Sequence, residues 1–141
     1  LLLERIQFMA SFAVTFTICS SNWFQPIGKA VQKICQDELE VHVELDKEVI
    51  RTELATDRGK AAYARLKDRI TLLCEEVVET ELTWVDYLFS EGRELVGANA
   101  QLIKSWVLFN AKEVYKFLGV ESAHKFPKTK PNTNYTQKHP P

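Results

Sequence analysis

The stretch KICQDELEVHVELDKE, residues 33–48, sets a single mid-chain histidine among acidic residues. Successive residues of an α-helix are about 100° apart, so side chains four positions apart share one face. An apolar stripe on this helix then includes a carboxylate and an imidazole, its members being Ile34, Glu38, His42, Leu45 and Val49. A charge on an inward face is costly unless it is paired or binds a metal. The stretch therefore predicts a helix whose apolar side carries a binding pair.

Composition limits what the chain can be. Its 141 residues are 45% hydrophobic, which suffices for one core and hardly for two. The formal net charge of −1 gives no electrostatic reason to expect nucleic acid or an anionic membrane as partner. Three cysteines, an odd number without CxxC spacing, favour reduced, buried thiols in a cytoplasmic protein.

The N-terminal stretch LLLERIQFMASFAVTFTICSS, residues 1–21, is the most apolar part of the chain. Glu4 and Arg5 interrupt it, its apolar run is too short to span a bilayer, and it lacks the basic start and small-residue cleavage pattern of a signal peptide. We expect a core helix rather than a membrane anchor. Because this helix begins without a lead-in or a capping residue, we also expect the chain to be part of a longer protein.

Helical periodicity recurs along the chain, and alternating strand patterns are missing. Apolar spacing predicts four long helices, over residues 1–19, 24–54, 59–89 and 99–118, the last ending at Gly119. Ser21 or Asn22 is the expected cap of the second helix. Four of the five prolines lie at residues 127–141, so residues 121–141 are expected to form an irregular tail in which His124 and His139 are solvated. The chain is predicted to be all-α, a bundle of antiparallel helices or most of one.

Glu4 is a second charged residue on an apolar stripe, shared with Phe8 and Phe12. It lies sixteen positions before Ser20, and Glu38 lies sixteen positions after Asn22, so folding the two helices back on each other would bring Glu4 level with the Glu38 and His42 pair. Carboxylates and an imidazole converging in an apolar bundle make a metal site. The alternatives are a salt bridge for Glu4 and a surface pair or a satisfied core histidine for the other two.

Three strings carry a family resemblance: LLLERIQFMASFAVTF, KICQDELEVHVEL and WVDYLFSEGRELVGAN. Over residues 1–126 the chain resembles the second half of the small, radical-generating subunit of class I ribonucleotide reductase, a ferritin-like di-iron protein. The resemblance implies a partial ferritin-like domain over residues 1–120 followed by the tail. It implies iron ligands at Glu4, Glu38 and His42. It also implies a radical pocket or second shell that includes Phe8, Phe12, Ile34 and Asp37.

The sequence departs from that family in three ways. The usual Glu-x-x-His is here Glu-x-x-x-His, which would rotate the imidazole unless a π-bulge absorbs the extra residue. The other half of the di-iron ligand set and the radical tyrosine have no counterpart, so at most half of the ligands are present and no catalytic residue is assigned. After Phe126 the tail no longer resembles the segment that docks on the large subunit.

The resemblance implies a function in deoxyribonucleotide biosynthesis. The intact subunit uses a di-iron centre and oxygen to make a tyrosyl radical, and it works as a homodimer with the large catalytic subunit. A C-terminal-half fragment is expected to be inactive alone. The alternatives are another ferritin-like di-iron oxidase, against which the strings around Trp84 and Gly97 argue, and a non-catalytic helical interaction protein.

Overall fold

The computed structural model describes residues 1–131, and its regular structure is helical. Two short segments are π-helical, which we name π1 and π2; the other five helices are α1 to α5. In chain order they are π1 (Leu3–Gln7), α1 (Met9–Ser20), α2 (Gln25–Gln36), π2 (Asp37–His42), α3 (Val43–Ala55), α4 (Asp57–Leu88) and α5 (Ala100–Leu118). This part of the chain forms no strand, only an isolated bridge between Leu95 and Ala98. The predicted all-α bundle is confirmed.

The seven segments make four rods, because each π-helical segment adjoins its α-helical neighbours with little or no interruption. The first rod joins π1 and α1, the third is α4 and the fourth is α5. The second rod joins α2, π2 and α3 over the range predicted for one long helix. At one end of the first two rods α1 packs against α2, and at the other end π1 packs against π2. The two rods are therefore antiparallel, as the matched offsets of Glu4 and Glu38 require.

Side-chain caps and a glycine mark the ends of the last two rods. The Thr56 hydroxyl accepts the Gly59 N–H at 2.9 Å at the start of α4, and the Asn99 side chain accepts the Leu102 N–H at 2.9 Å at the start of α5. Gly119 ends α5 with φ of 66°, a left-handed conformation that glycine adopts without strain. The predicted stop at Gly119 is confirmed.

The start of α2 differs from the prediction. Its cap is Phe24, which has a φ of 52° and makes no side-chain capping bond, so the assignment of Ser21 or Asn22 was wrong. Pro26 in the first turn has no N–H, which removes one of the donors that a cap would otherwise serve. A short left-handed turn therefore replaces a polar cap here.

The first rod lies at the centre of the bundle. Segments π1 and α1 together pack against α2, α4, α5 and π2. Their buried residues join a single core with those of α4 and α5, including Ile6, Met9, Ala10, Phe12, Val78, Val85, Ile103 and Val107. The predicted core helix is confirmed. Among residues 1–131, no helix combines the length and the apolar character needed to cross a bilayer.

Residues 121–131 contain no helix but lie against the bundle. The ring of Phe126 packs on that of Tyr115, with centroids 5.2 Å apart. His124 Nε2 lies 3.2 Å from Glu75 Oε2 on α4, and its side chain is largely buried, so the expectation of a solvated His124 was wrong. His139 lies outside the described residues. The division into a bundle and a tail at residue 120 stays a prediction.

Candidate metal centre

Glu38 and His42 form a direct pair on π2. His42 Nδ1 and Glu38 Oε2 are 2.8 Å apart. The carboxylate is mostly covered, with 18% of its side chain exposed, whereas the imidazole is 55% exposed. A direct pair of Glu38 and His42 was one of the alternatives to a metal site, and this pair is present in the structure.

The stripe that holds this pair faces outward in this chain. Ile34, Leu45 and Val49 are each more than half exposed, so the interpretation of this stripe as an inward face was wrong for the chain by itself. The second rod turns Cys35 and Val43 towards the core instead. The Glu38 and His42 pair thus lies beside apolar side chains that residues 1–131 leave uncovered.

Segment π2 accommodates the extra residue of Glu-x-x-x-His. It begins at Asp37 and ends at His42, so both members of the pair lie within it. A π-helix holds more residues in each turn than an α-helix, so side chains four positions apart approach the placement that three positions give in an α-helix. The π-bulge that the sequence suggested is therefore present where the spacing requires it.

The charge around the pair favours a protonated imidazole. The hydrogen bond to Glu38 and the charge of that carboxylate raise the pKa of His42, and the negative charges of Glu4 and Asp37 add to the effect. Metal binding through His42 Nδ1 would therefore have to displace a proton and separate the imidazole from Glu38.

Glu4 lies on π1, which packs directly against π2. Its Oε2 is 2.7 Å from the terminal ammonium of Leu1, which also contacts the Asp46 carboxylate. The hydrogen bond with this ammonium lowers the pKa of Glu4. The partner of Glu4 in this structure is thus the amino group of Leu1, the first residue given, and a salt bridge of Glu4 to a basic side chain stays a prediction.

These donors fit iron in chemical type but only as an incomplete set. Carboxylate oxygens and imidazole nitrogens are ligands that iron takes in proteins. Within residues 1–131, however, no three His, Cys, Asp or Glu side chains are grouped so that they could hold a metal ion. The chain thus presents a Glu/His pair and a carboxylate on the facing segment, without a closed site.

The residues expected around the centre divide into buried and exposed ones. Phe12 is buried, while Phe8 is 38% exposed, and their rings are 5.9 Å apart. Ile34 is exposed beside the pair, and so is Asp37 at the start of π2. Two of these apolar residues therefore border the uncovered surface, as expected if further protein covers it.

Glu81 was missed by the sequence analysis. This α4 residue is only 4% exposed, and its Oε1 accepts the N–H of Ala10 at 2.8 Å. Desolvation by burial raises its pKa to about 7. The sequence could have predicted its burial, because Glu81 lies in helical register with Cys74, Val78 and Val85, which are buried. The same kind of pattern drew attention to Glu38.

The fold and the pair define a class of protein, a helical bundle that carries carboxylate and imidazole groups on two facing helices. The family comparison is specific within that class, since residues 1–132 match the family described as ribonucleotide reductase, small chain. The chain belongs to this family, and so to the polypeptides of an oxidoreductase. Searches among curated proteins and among solved structures returned no match.

Proposed function

We propose that this chain supplies one half of the di-iron site of a ribonucleoside-diphosphate reductase small subunit, with Glu4, Glu38 and His42 as ligands. The observation that carries the proposal is the coincidence of two features. The two π-helical segments of residues 1–131 are the ones that bear the three candidate ligands, and they pack against each other. Local π-helical turns are frequent at functional sites, where they re-aim side chains at a cost in helix regularity.

The proposed ligands would reach the metal from two different helical segments. Glu38 is oriented by its own helix and by His42, while Glu4 approaches from π1. When bound, two irons would react with oxygen and so supply the oxidising chemistry by which this family makes a tyrosyl radical. To hold a metal, His42 would have to give up the proton that its pair with Glu38 favours, and the Glu38 carboxylate would then face the cation instead of the imidazole.

The surrounding residues would shape the pocket. Once the stripe of the second rod is covered, Phe8, Phe12 and Ile34 would form an apolar wall that keeps water from the metal, and Asp37 would provide a carboxylate at the start of π2. Apolar surroundings and second-shell carboxylates tune both metal affinity and ligand orientation.

The missing ligands must come from helices that cover the exposed stripe of the second rod. A di-iron bundle of this type takes a Glu from each of two helices and a Glu/His pair from each of two others. This chain has one of each, and it exposes large apolar side chains beside them. We therefore propose that it is inactive alone and acts in the cytoplasm as part of a homodimeric small subunit with the large catalytic subunit. Three free, buried thiols support a reducing compartment.

Iron titration tests the proposal. The chain alone should bind Fe(II) weakly, whereas mixing it with a polypeptide that supplies the other family half should give two irons per pair and an electron paramagnetic resonance signal after exposure to oxygen. Glu38→Ala should abolish the gain in iron. Glu40→Ala, which removes an exposed carboxylate from the same π2 segment, is the matched control and should leave it unchanged.

Two results would overturn the ligand assignment: two tightly bound irons in the isolated chain, or full iron uptake by the Glu38→Ala mixture. A second candidate function, a non-catalytic helical interaction protein, is favoured by the lack of a closed metal group among residues 1–131. It predicts that the two halves associate normally but take up no iron.

A further inference from the structure

Glu81 lies where a charged side chain is expensive, in the core between α4 and the first rod. Its neighbours in register on α4, Cys74, Val78 and Val85, are all fully buried and apolar. Burial of a carboxyl group in such surroundings is tolerated when it makes a hydrogen bond that the fold needs.

The partner of Glu81 is the backbone at the junction of π1 and α1. Ala10, whose N–H donates to Glu81 Oε1 at 2.8 Å, is the second residue of α1 and lies just after the end of π1. One residue further on, the Ser11 hydroxyl accepts the indole N–H of Trp84 at 3.2 Å. One turn of α4 therefore contacts two consecutive residues of the junction through side-chain hydrogen bonds.

The junction determines where Glu4 points. A π-helical turn holds one residue more than an α-helical turn, so its conversion to α-helix would rotate everything on its N-terminal side by about 100° relative to α1. Glu4 is the second residue of π1, close to the N-terminal end of the segment, so its side chain would take up most of this rotation. A carboxylate rotated by this angle would leave the face that packs against π2.

We propose that Glu81 is a positioning residue that holds the junction between π1 and α1 and thereby directs the Glu4 carboxylate towards the metal site. The inference rests on the metal role proposed for Glu4. Glu81 accepts the Ala10 N–H whether or not it is ionised, and its pKa of about 7 leaves both forms available near neutrality. The bond thus persists across the working range of pH.

Amide hydrogen exchange tests the hold on the junction. Glu81→Met keeps the length of the side chain but removes the acceptor, and it should speed exchange of the Ala10 amide about tenfold and shift the backbone carbon resonances of residues 3–7. Glu81→Gln keeps an acceptor oxygen and should restore both. Glu76→Met, at an exposed position on the same helix, is the matched control. In the unsubstituted chain, Ala10 should exchange more slowly than its neighbours in the first turn of α1, a test that needs no variant to fold.

Iron uptake by a mixture of this chain with the polypeptide that supplies the other family half tests the effect on Glu4. Glu81→Met should lower iron affinity 10- to 100-fold, roughly the loss seen when a second-shell residue is removed, and Glu81→Gln should bind normally. The claim that Glu81 holds the junction would be overturned if the Ala10 amide exchanged at an unchanged rate in Glu81→Met, or if it exchanged fast in the unsubstituted chain. Faster exchange with normal iron affinity would overturn the effect on Glu4. If the unsubstituted mixture takes up no iron, the proposed function and the role in directing Glu4 both fall, while the exchange data still decide whether Glu81 holds the junction.

Discussion

At the scale of single residues, charged groups on apolar stripes mark the unusual positions of this chain. Glu38 was found from the sequence because a histidine follows it four positions later, and a pair of donors suggests a ligand set. Glu81 has no such companion and lies among the other acids of α4, so its burial becomes evident only when the first rod is seen to pack over it. A stripe predicts which residues point together, but the packing of other elements decides whether they are covered.

Glu81 should make the chain more stable at mildly acidic pH than at alkaline pH. Its pKa rises from an ordinary 4.5 to about 7 in the fold, so its stabilising contribution is fully present below pH 4.5 and is lost as the pH rises through 7. A shift of this size corresponds to an upper bound of ~3 kcal/mol. Urea unfolding at pH 5.5 and pH 8 should show the fall in the unsubstituted chain and in Glu76→Gln, but not in Glu81→Gln. Equal pH dependence in all three would show that Glu81 ionises freely.

At the scale of elements, the four rods were predictable and the details of their helical turns were not. Apolar periodicity together with breaks such as Gly119 gave the rod boundaries closely. A π-bulge at π2 was one of the two outcomes that the one-residue excess in Glu-x-x-x-His left open, whereas π1 has no such excess in its sequence, LERIQ. Its extra residue is compensated by contacts from α4, seventy residues away, which local sequence does not reveal.

The close approach of the first two rods depends on Gly28. A Cβ at this position of α2 would lie 2.8 Å from the Cβ and Sγ of Cys19 on α1, closer than real contacts allow. Gly28→Ala should therefore destabilise the chain by about 1–3 kcal/mol despite the higher helix propensity of alanine. Lys29→Ala, at the exposed neighbouring position, should be close to neutral. Thermal unfolding compares the two, and a stabilising Gly28→Ala would show that the rods separate readily.

At the scale of the whole molecule, the bundle closes one core and leaves a second apolar surface open. The core of π1, α1, α4 and α5 is complete enough to bury residues such as Ile6 and Met9. The outer stripe of the second rod is not covered, although Ile34, Leu45 and Val49 have the helical spacing of a buried face. The family identity was recognisable from three strings, but the exposure of the Glu38 and His42 stripe was not, because periodicity predicts which residues share a face and not whether another element covers that face.

The open stripe should matter for assembly and not for the stability of the chain alone. A triple variant, Ile34→Gln, Leu45→Gln and Val49→Thr, replaces side chains that are more than half exposed, so the free energy of unfolding should change by less than ~1 kcal/mol. Binding of an apolar fluorescent dye should fall, because the variant removes most of one exposed apolar surface.

The same variant should fail to gain iron when it is mixed with the polypeptide that supplies the other family half, although Glu4, Glu38 and His42 are intact. Leu72→Gln is the matched control, since Leu72 is 63% exposed on α4 and should not affect assembly. If the triple variant unfolds far more easily than the unsubstituted chain, the stripe is packed within the chain itself. If it assembles and binds iron normally, the covering helices approach from another side, and the Glu38 and His42 pair does not face them.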